Sequence, residues 1–101
     1  MARPRKFRNI TWQPEWKLFT PIGDKTLEVE ELILNHDEIE SIRLKDLECL
    51  DQKQASEKMN ISQPTFCRLV KEARKKVAKA LINGNAIKIQ EVKFKSLKNK
   101  L

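Results

Sequence analysis

The order of apolar and polar residues between Gln52 and Lys71 predicts two short helices joined by a tight turn. Apolar residues fall where two helices that cross at about 90 to 120° face each other and the rest of a domain, namely Ala55, Met59, Ile61, Phe66 and Leu69. Ser56 is small at the point where such helices approach most closely. This spacing is typical of a helix-turn-helix, although packed helix pairs in other small α domains share it.

Capping residues indicate the same two helices. Asp51 can accept from the first turn of the first helix, and Gln54 three residues later completes a capping-box pattern. Ser62 stands at the N-cap of the second helix, where Pro64 is tolerated because the first amides of a helix have no intrahelical partner. Asn60 tolerates the left-handed conformation that a helix end requires. The predicted motif covers residues 51–71.

The second helix is predicted to be long and to end near residue 83, just before Gly84. Apolar residues recur along it at helical spacing, at Phe66, Leu69, Val70, Ala73, Val77, Ala80 and Leu81. The opposite side carries the cations Arg68, Lys71, Arg74, Lys75, Lys76 and Lys79. A charged helix face is often only a solvated face. Beside a helix-turn-helix, however, it is a candidate surface for phosphates.

Residues 1–23 predict an irregular, basic N-terminal arm, because three prolines interrupt any long helix. Its candidate DNA-contacting cations are Arg3, Arg5, Lys6 and Arg8. Such an arm either lies against a DNA groove or its phosphates, or is a solvated terminus. Part of this segment is expected to pack on the domain, because it is apolar at Phe7, Ile10, Trp12, Trp16 and Phe19. The two tryptophans are expected in the core or an interface, with stacking on bases as the alternative.

The helix-turn-helix domain is predicted to cover residues 24–84. In its first part, residues 26–35, the spacing of apolar residues does not distinguish a strand from a short helix. A helix capped by Asn35 or Asp37 follows, and His36 at its start is expected on the surface. One side of this helix is predicted to carry Ile39, Ile42, Leu47 and Leu50.

Residues 85–101 predict a strand from Ala86 to Lys95 and a basic tail. This strand needs a partner, which is either the N-terminal segment or the same strand of a second subunit. The predicted fold is therefore mainly α, a helix-turn-helix domain with a long recognition helix, an irregular arm and short strands near both termini.

Charge is distributed unevenly along the 101 residues. The net charge is +4 over residues 1–23, −7 over residues 24–51 and +10 over residues 52–101, which together give the formal +7. The positive charge lies on the motif and at both ends, where a polyanion would be bound. A chain of this length builds one modest core, so dimerisation would add stability.

Several other protein classes are not favoured. The sequence contains neither a signal peptide nor an apolar run of the ~18 residues that a membrane span needs. Cys49 and Cys67 form no CxxC and are typical of reduced thiols, so we expect a cytoplasmic protein. His36, two separated cysteines and scattered acids form no nucleophile–base pair and no ligand cluster. We therefore expect no enzymatic activity, no cofactor and no metal.

Four stretches, MARPRKF, DEIESIRLKDLECL, QASEKMNISQPTF and ARKKVAKALINGNAI, together resemble a family of small prokaryotic proteins usually described as predicted DNA-binding proteins. The motif alone is also similar to the promoter-reading last region of bacterial sigma factors. The resemblance implies a sigma-like helix-turn-helix and DNA binding, but no particular target. Here Cys49 and Asn60 replace usual glycines, and Gln63 stands where an arginine is common, which removes a cation from the helix tip.

If the second helix enters a major groove, the residues on the side away from Phe66 and Leu69 contact the DNA. The candidate base contacts are Gln63, Pro64, Cys67 and Arg68; an amide can pair with adenine and a guanidinium with guanine. The candidate phosphate contacts are Ser62, Thr65, Lys71, Arg74 and Lys75, with the four cations of the arm. We therefore expect a sequence-specific DNA-binding transcriptional regulator, with a homodimer as one candidate arrangement. A bulky oxidation adduct on Cys67 would block docking.

Two other functions stay open. A sigma-like module could use the acidic middle segment to bind RNA polymerase or another regulator without touching DNA. Alternatively, the basic helix and tails could bind structured RNA, although the chain lacks the interleaved aromatic residues of a base-stacking sheet.

Overall fold

The computed structural model describes residues 10, 12, 14–23 and 29–90. Its strands and helices follow one another as β1 (Leu18–Phe19), β2 (Glu31–Asn35), α1 (His36–Ile42), α2 (Gln52–Met59), α3 (Gln63–Asn83) and β3 (Ala86–Gln90). A single π-helical turn, Arg43–Leu47, continues α1. The fold is therefore mixed, with helices packed on a small sheet, and the expectation of a mainly α fold is corrected to that extent.

The three strands form one sheet in the order β1-β3-β2. β3 pairs in parallel with β2, from Glu31 opposite Ala86 to Asn35 opposite Gln90. It pairs antiparallel with β1, where Phe19 lies opposite Ile87. Parallel neighbours need a crossover connection, and the three helices provide it. The strand predicted to begin at Ala86 is confirmed as far as Gln90, and the N-terminal segment is one of its partners.

α1 begins after Asn35, one of the two caps that the sequence predicted, and Glu38 completes a capping box with it. The backbone N–H of Asn35 donates to Oε1 of Glu38 at 2.9 Å. Because α1 follows β2 without a loop and packs against α3, its first turn lies inside the molecule. His36 is consequently only 6% exposed, so the prediction of a surface histidine is wrong.

The π-helical turn changes which leucines of this region are buried. A π turn holds an extra residue, so the side chains that follow rotate relative to an α-helix. Leu44 is buried, whereas Leu47 is 74% exposed. Leu47 therefore shares a side of this region with Ile39 and Ile42, as predicted, but it stays largely exposed, whereas Leu50 packs against the buried cluster that contains Leu44.

The caps of α2 and α3 lie where the sequence predicted them. Asp51 accepts from the amide of Gln54 at 2.8 Å, and the Gln54 side chain accepts from the amide of Asp51 at 3.1 Å. Asn60 ends α2 in the left-handed conformation, with φ 59°. Ser62 accepts from the amide of Thr65 at 3.2 Å. Gly84 ends α3 at φ 72°.

α3 contacts both clusters of the core. The first cluster joins α3 to α2 and the π-helical turn through Leu44, Ala55, Met59, Phe66 and Val70. The second joins α3 to the sheet through Leu34, Ala73 and Ile89. The buried side of α3 continues to Ala80, but Leu81, one residue or about 100° further around the helix, is 77% exposed. Leu81 therefore does not share the buried side of α3, although the sequence analysis listed it with the apolar residues of that helix.

Candidate nucleic-acid interface

The side of α3 that faces away from the core is open to solvent. At about 100° per residue, Phe66, Val70, Ala73 and Ala80 lie on the core side. Pro64, Arg68, Lys71 and Lys75 lie on the opposite side, and all four are exposed. We call these four residues the outward face of α3. The structure therefore brings together four of the sequence-predicted contacts on one surface.

The N-terminal end of α3 is exposed as well. Gln63 and Cys67 are exposed beside the outward face. Thr65 is half-buried, and its hydroxyl lies 2.9 Å from that of Ser62. The first turn of α3 contains no acidic residue. Ser62 thus caps the start of α3 through Thr65. The positive end of the helix dipole faces solvent, and the first turn of α3 contributes no acid that would neutralise it.

α2 is tied to this end of α3. The side-chain amide of Gln52 donates to the backbone carbonyl of Gln63 at 3.5 Å. Ala55 and Met59 of α2 are fully buried beside Phe66 of α3. The packing of α2 against α3 therefore sets the position of the α3 N-terminus relative to α2.

Arg74 is engaged by an acid that the sequence analysis missed. Its guanidinium donates to both carboxylate oxygens of Asp46, at 3.0 and 2.6 Å. The hydrogen bond to Arg74 lowers the pKa of Asp46, and the same bond raises the pKa of Arg74. Any phosphate contact by Arg74 would require exchange of this carboxylate for a phosphate.

The Asp46–Arg74 pair contributes little to stability because both side chains are nearly half exposed, at 41% and 49%. Exposed pairs contribute about 0.2 to 1 kcal/mol. Since the pKa of Asp46 is lowered, this contribution is present above the usual aspartate pKa of about 3.9 and is lost as the pH falls through the lowered value. The sequence contains no pattern that predicts this pair, because Asp46 lies on a π-helical turn and is 28 residues from Arg74 along the chain.

Lys76 does not lie on the cationic side where the sequence analysis placed it. Its ammonium donates to the backbone carbonyl of Ile33 at 3.0 Å and to Glu38 at 2.8 Å. Lys76 is one residue, or about 100°, from Lys75, and this rotation turns its side chain toward β2 and α1. The Lys76 ammonium is therefore paired within the fold. Lys76 does not belong to the candidate surface for phosphates.

A few acids of the acidic middle segment lie inside the fold. Glu38 and Glu40 are 6% and 1% exposed. The guanidinium of Arg43 donates to both carboxylate oxygens of Glu40 at 3.0 Å, which raises the pKa of Arg43. These acids stabilise the scaffold, so the strong negative charge counted along residues 24–51 is not all surface charge.

An apolar groove lies on the side of α1. It has a volume of about 360 Å³, and the Arg43 guanidinium lies 5.8 Å from the centre of the Trp12 ring. The lining residues are Trp12, Ile39, Ile42, Arg43, Leu47 and Glu48. The apolar side that the sequence predicted for Ile39, Ile42 and Leu47 lines part of this groove, whereas the approach of Trp12 could not be predicted from the sequence.

Some predictions fall outside the described residues. Arg3, Arg5, Lys6 and Arg8 of the arm are among these, as is the tail after Gln90. Within the part of the chain that the structure describes, His, Cys, Asp and Glu residues form no group of three that could bind a metal ion. None of the described helices has the length and apolarity needed to cross a membrane.

Comparison with known proteins assigns a family. The family model described as "Protein of unknown function DUF134" matches residues 1–97. A UPF0251 protein of Clostridium botulinum (strain Okra / Type B1) is 51% identical over 89 residues, which are 88% of this chain and 57% of the relative. The chain thus spans a little more than half the length of that relative.

Two further relatives carry the same family name. A UPF0251 protein of Caldanaerobacter subterraneus subsp. tengcongensis is 43% identical over 95 residues, 94% of this chain and 80% of the relative. One of Clostridium acetobutylicum is 46% identical over 96 residues, 95% of this chain and 67% of the relative. No solved structure matches.

Proposed function

The chain belongs to the DUF134 or UPF0251 family of prokaryotic proteins, and we propose that it binds double-stranded DNA sequence-specifically and regulates transcription. The observation that carries this proposal is the outward face of α3, which presents Arg68, Lys71 and Lys75 to solvent directly behind the capped but solvent-exposed start of the helix. A cationic helix side beside an acid-free N-terminus suits a groove between two phosphate backbones.

In this proposal α2, the turn at Asn60 and α3 act as a helix-turn-helix, with α3 as the recognition helix. α3 has 21 residues and is therefore about 32 Å long at ~1.5 Å per residue. Its first two turns are long enough to cross the floor of a major groove, and the lysines of the following turns then lie near the phosphates.

The contacts have different roles. Gln63 can form two hydrogen bonds with adenine, and Arg68 can do so with guanine. Pro64 and Cys67 offer apolar contacts to a thymine methyl group. Ser62, Thr65, Lys71 and Lys75 are positioned for phosphates, and the arm residues Arg3, Arg5, Lys6 and Arg8 are proposed to add further phosphate contacts. The proposal requires neither catalysis nor a cofactor.

The test compares three alanine variants on a duplex selected from a random pool and on an unrelated duplex. Arg68→Ala should reduce affinity for the selected duplex by about 5- to 150-fold, which is ~1 to 3 kcal/mol, with little change on the unrelated duplex. Lys75→Ala should weaken both alike. The control is Lys88→Ala on the central strand, an exposed lysine outside α3. If Arg68→Ala and Lys88→Ala behave alike, α3 does not recognise bases.

A protein-binding function is the second candidate, and the apolar groove beside α1 is the observation that favours it. It predicts that RNA polymerase or another regulator is retained on the immobilised chain after nuclease treatment, and that Leu47→Glu abolishes retention.

RNA binding would instead appear as a preference for structured RNA over duplex DNA at equal salt. A thiol reagent on Cys67 that left DNA affinity unchanged would reject oxidation control at that residue.

A further inference from the structure

Gln52 interrupts the apolar side of α2 at the end where this helix meets α3. The residues three, four and seven positions later, Ala55, Ser56 and Met59, are buried. Helical spacing puts Gln52 on the same side of α2, yet its own side chain is only half-buried. An apolar residue is the usual occupant at this spacing. The glutamine therefore places an amide group where the contact between the two helices opens to solvent.

The amide of Gln52 reaches the first residue of α3. Its nitrogen lies 3.5 Å from the backbone carbonyl oxygen of Gln63, and since a carbonyl oxygen only accepts, the NH2 end of the amide faces α3. Among the described residues this is the one side-chain hydrogen bond that joins α2 to α3. A bond of this length contributes little to stability, so its main consequence is the position of the Gln52 amide beside Gln63.

The capping side chains at the starts of the two helices are engaged locally. The Asp51 carboxylate accepts from an amide of its own helix at 2.8 Å, and the hydroxyls of Ser62 and Thr65 lie 2.9 Å apart. The Gln63 side chain, by contrast, is exposed and has no hydrogen-bond partner among the described residues. The carbonyl oxygen of the Gln52 amide has none there either. Two glutamines with unused hydrogen-bonding groups thus lie next to each other at the start of α3.

We propose that Gln52 is the positioning residue for the contact of Gln63 with adenine, an inference that rests on the proposed function. A glutamine that reads adenine uses its carbonyl oxygen and one N–H of its amide, which leaves the second N–H unused. In the complex, the carbonyl oxygen of Gln52 accepts from this N–H of Gln63, while the NH2 group of Gln52 stays at the backbone carbonyl of the same residue. Gln63 is then held at two points and presents its amide to the base in one orientation.

This arrangement increases discrimination between bases rather than general affinity for DNA. A glutamine side chain loses rotamer freedom when it is fixed, and a neighbour that bonds to it offsets part of that cost. A held amide also cannot turn over and exchange its NH2 and carbonyl ends, which would suit other base edges. Because Gln52 is uncharged, it releases no counterion and does not contribute to the salt dependence of affinity.

The test replaces Gln52 by methionine, which keeps the size of the side chain and removes its amide. Each base pair of a duplex selected from a random pool is changed in turn, and the pair read by Gln63 is the one whose change no longer matters in Gln63→Ala. At that pair Gln52→Met should lower the discrimination between adenine and the other bases by about 2- to 10-fold, with the other pairs and the salt dependence unchanged. In the Gln63→Ala background, Gln52→Met should have no effect.

A merely structural role of Gln52 is tested separately. Gln90→Met makes the same substitution at a half-buried glutamine of β3 and should change neither discrimination nor salt dependence. Urea unfolding of Gln52→Met should give a midpoint close to that of the parent chain, because the lost bond is long. A lowered midpoint with discrimination reduced at every base pair would overturn the proposal, since Gln52 would then only support the packing of α2 against α3.

Failure of this inference and failure of the proposed function give different results. Unchanged discrimination in Gln52→Met, or the same loss in the Gln63→Ala background, would show that Gln52 does not act through Gln63, while DNA binding itself would stand. Equal loss in Gln90→Met would show that the effect is not specific to the start of α3. A parent chain that binds no duplex would reject the proposed function and this inference together.

Discussion

Lys75 and Lys76 are neighbours in the sequence but have different surroundings, and this difference supports a matched prediction. Lys76 donates to the carbonyl of Ile33 and to Glu38, and the Glu38 side chain is only 7% exposed. Lys75 is exposed on the outward face of α3. Replacing either lysine by methionine removes one charge and keeps a side chain of similar length. Only Lys76→Met should destabilise the fold.

The size of the effect follows from the contacts. Lys76→Met leaves the buried Glu38 carboxylate hydrogen-bonded to the amide of Asn35 but without its ammonium partner. It also removes the ammonium that donates to the Ile33 carbonyl. Losing a charged hydrogen bond costs about 1.5 to 3 kcal/mol, and breaking a fully buried pair costs about 3 to 5. Because Lys76 keeps 27% of its side chain exposed, we expect ~2 to 3 kcal/mol, or a fall in Tm on the order of 10 °C.

Urea unfolding followed by tryptophan fluorescence measures the stability of both variants, and duplex titration measures their DNA affinity. Lys76→Met should lower the unfolding midpoint with an unchanged m value, and folded Lys76→Met should bind DNA as tightly as the parent chain. Lys75→Met should stay within about 0.5 kcal/mol of the parent in stability but bind DNA more weakly. Equal losses of stability in the two variants would refute the assignment of their surroundings.

Three further predictions concern single residues. Cys49 has φ 61°, so Cys49→Gly should raise the free energy of unfolding by about 0.5 to 1 kcal/mol in urea titrations; no gain would contradict the left-handed conformation. Ser62→Ala should cost about 1 kcal/mol of stability through the lost cap on Thr65, and an unchanged midpoint would contradict that cap. Asp46→Asn should release Arg74 and raise duplex affinity, whereas the same substitution in an Arg74→Ala background should do so much less. Equal gains in both backgrounds would mean that Asp46 acts only by repelling DNA.

The α2–α3 pair could be predicted from the sequence because its signals are local. Asp51, Gln54 and Ser62 form their caps within three residues, and Asn60 satisfies a backbone requirement by itself. The apolar spacing from Ala55 to Phe66 then determines which sides of the helices meet. Helix pairs of this kind need no information from distant parts of the chain.

The sheet and the charge pairs could not be predicted in the same way. β1 has two residues, too few for any periodicity, and its pairing with β3 joins segments that are nearly seventy residues apart. The π-helical turn leaves no clear pattern in the sequence, so the exposure of Leu47 and the pairing of Asp46 with Arg74 could not be predicted. A charge count could not separate Lys76 from Lys75 either, since a difference of about 100° around α3 decides which cation is paired.

The salt dependence of duplex affinity tests the central claim most directly. If the outward face of α3 contacts phosphates, log affinity should fall linearly with log salt concentration, by roughly 0.9 for each phosphate neutralised. Lys75→Ala should lower that slope by about one contact, while Lys88→Ala should leave it unchanged. An affinity that hardly changes with salt, or a slope that Lys75→Ala does not alter, would contradict the claim that this helix binds DNA.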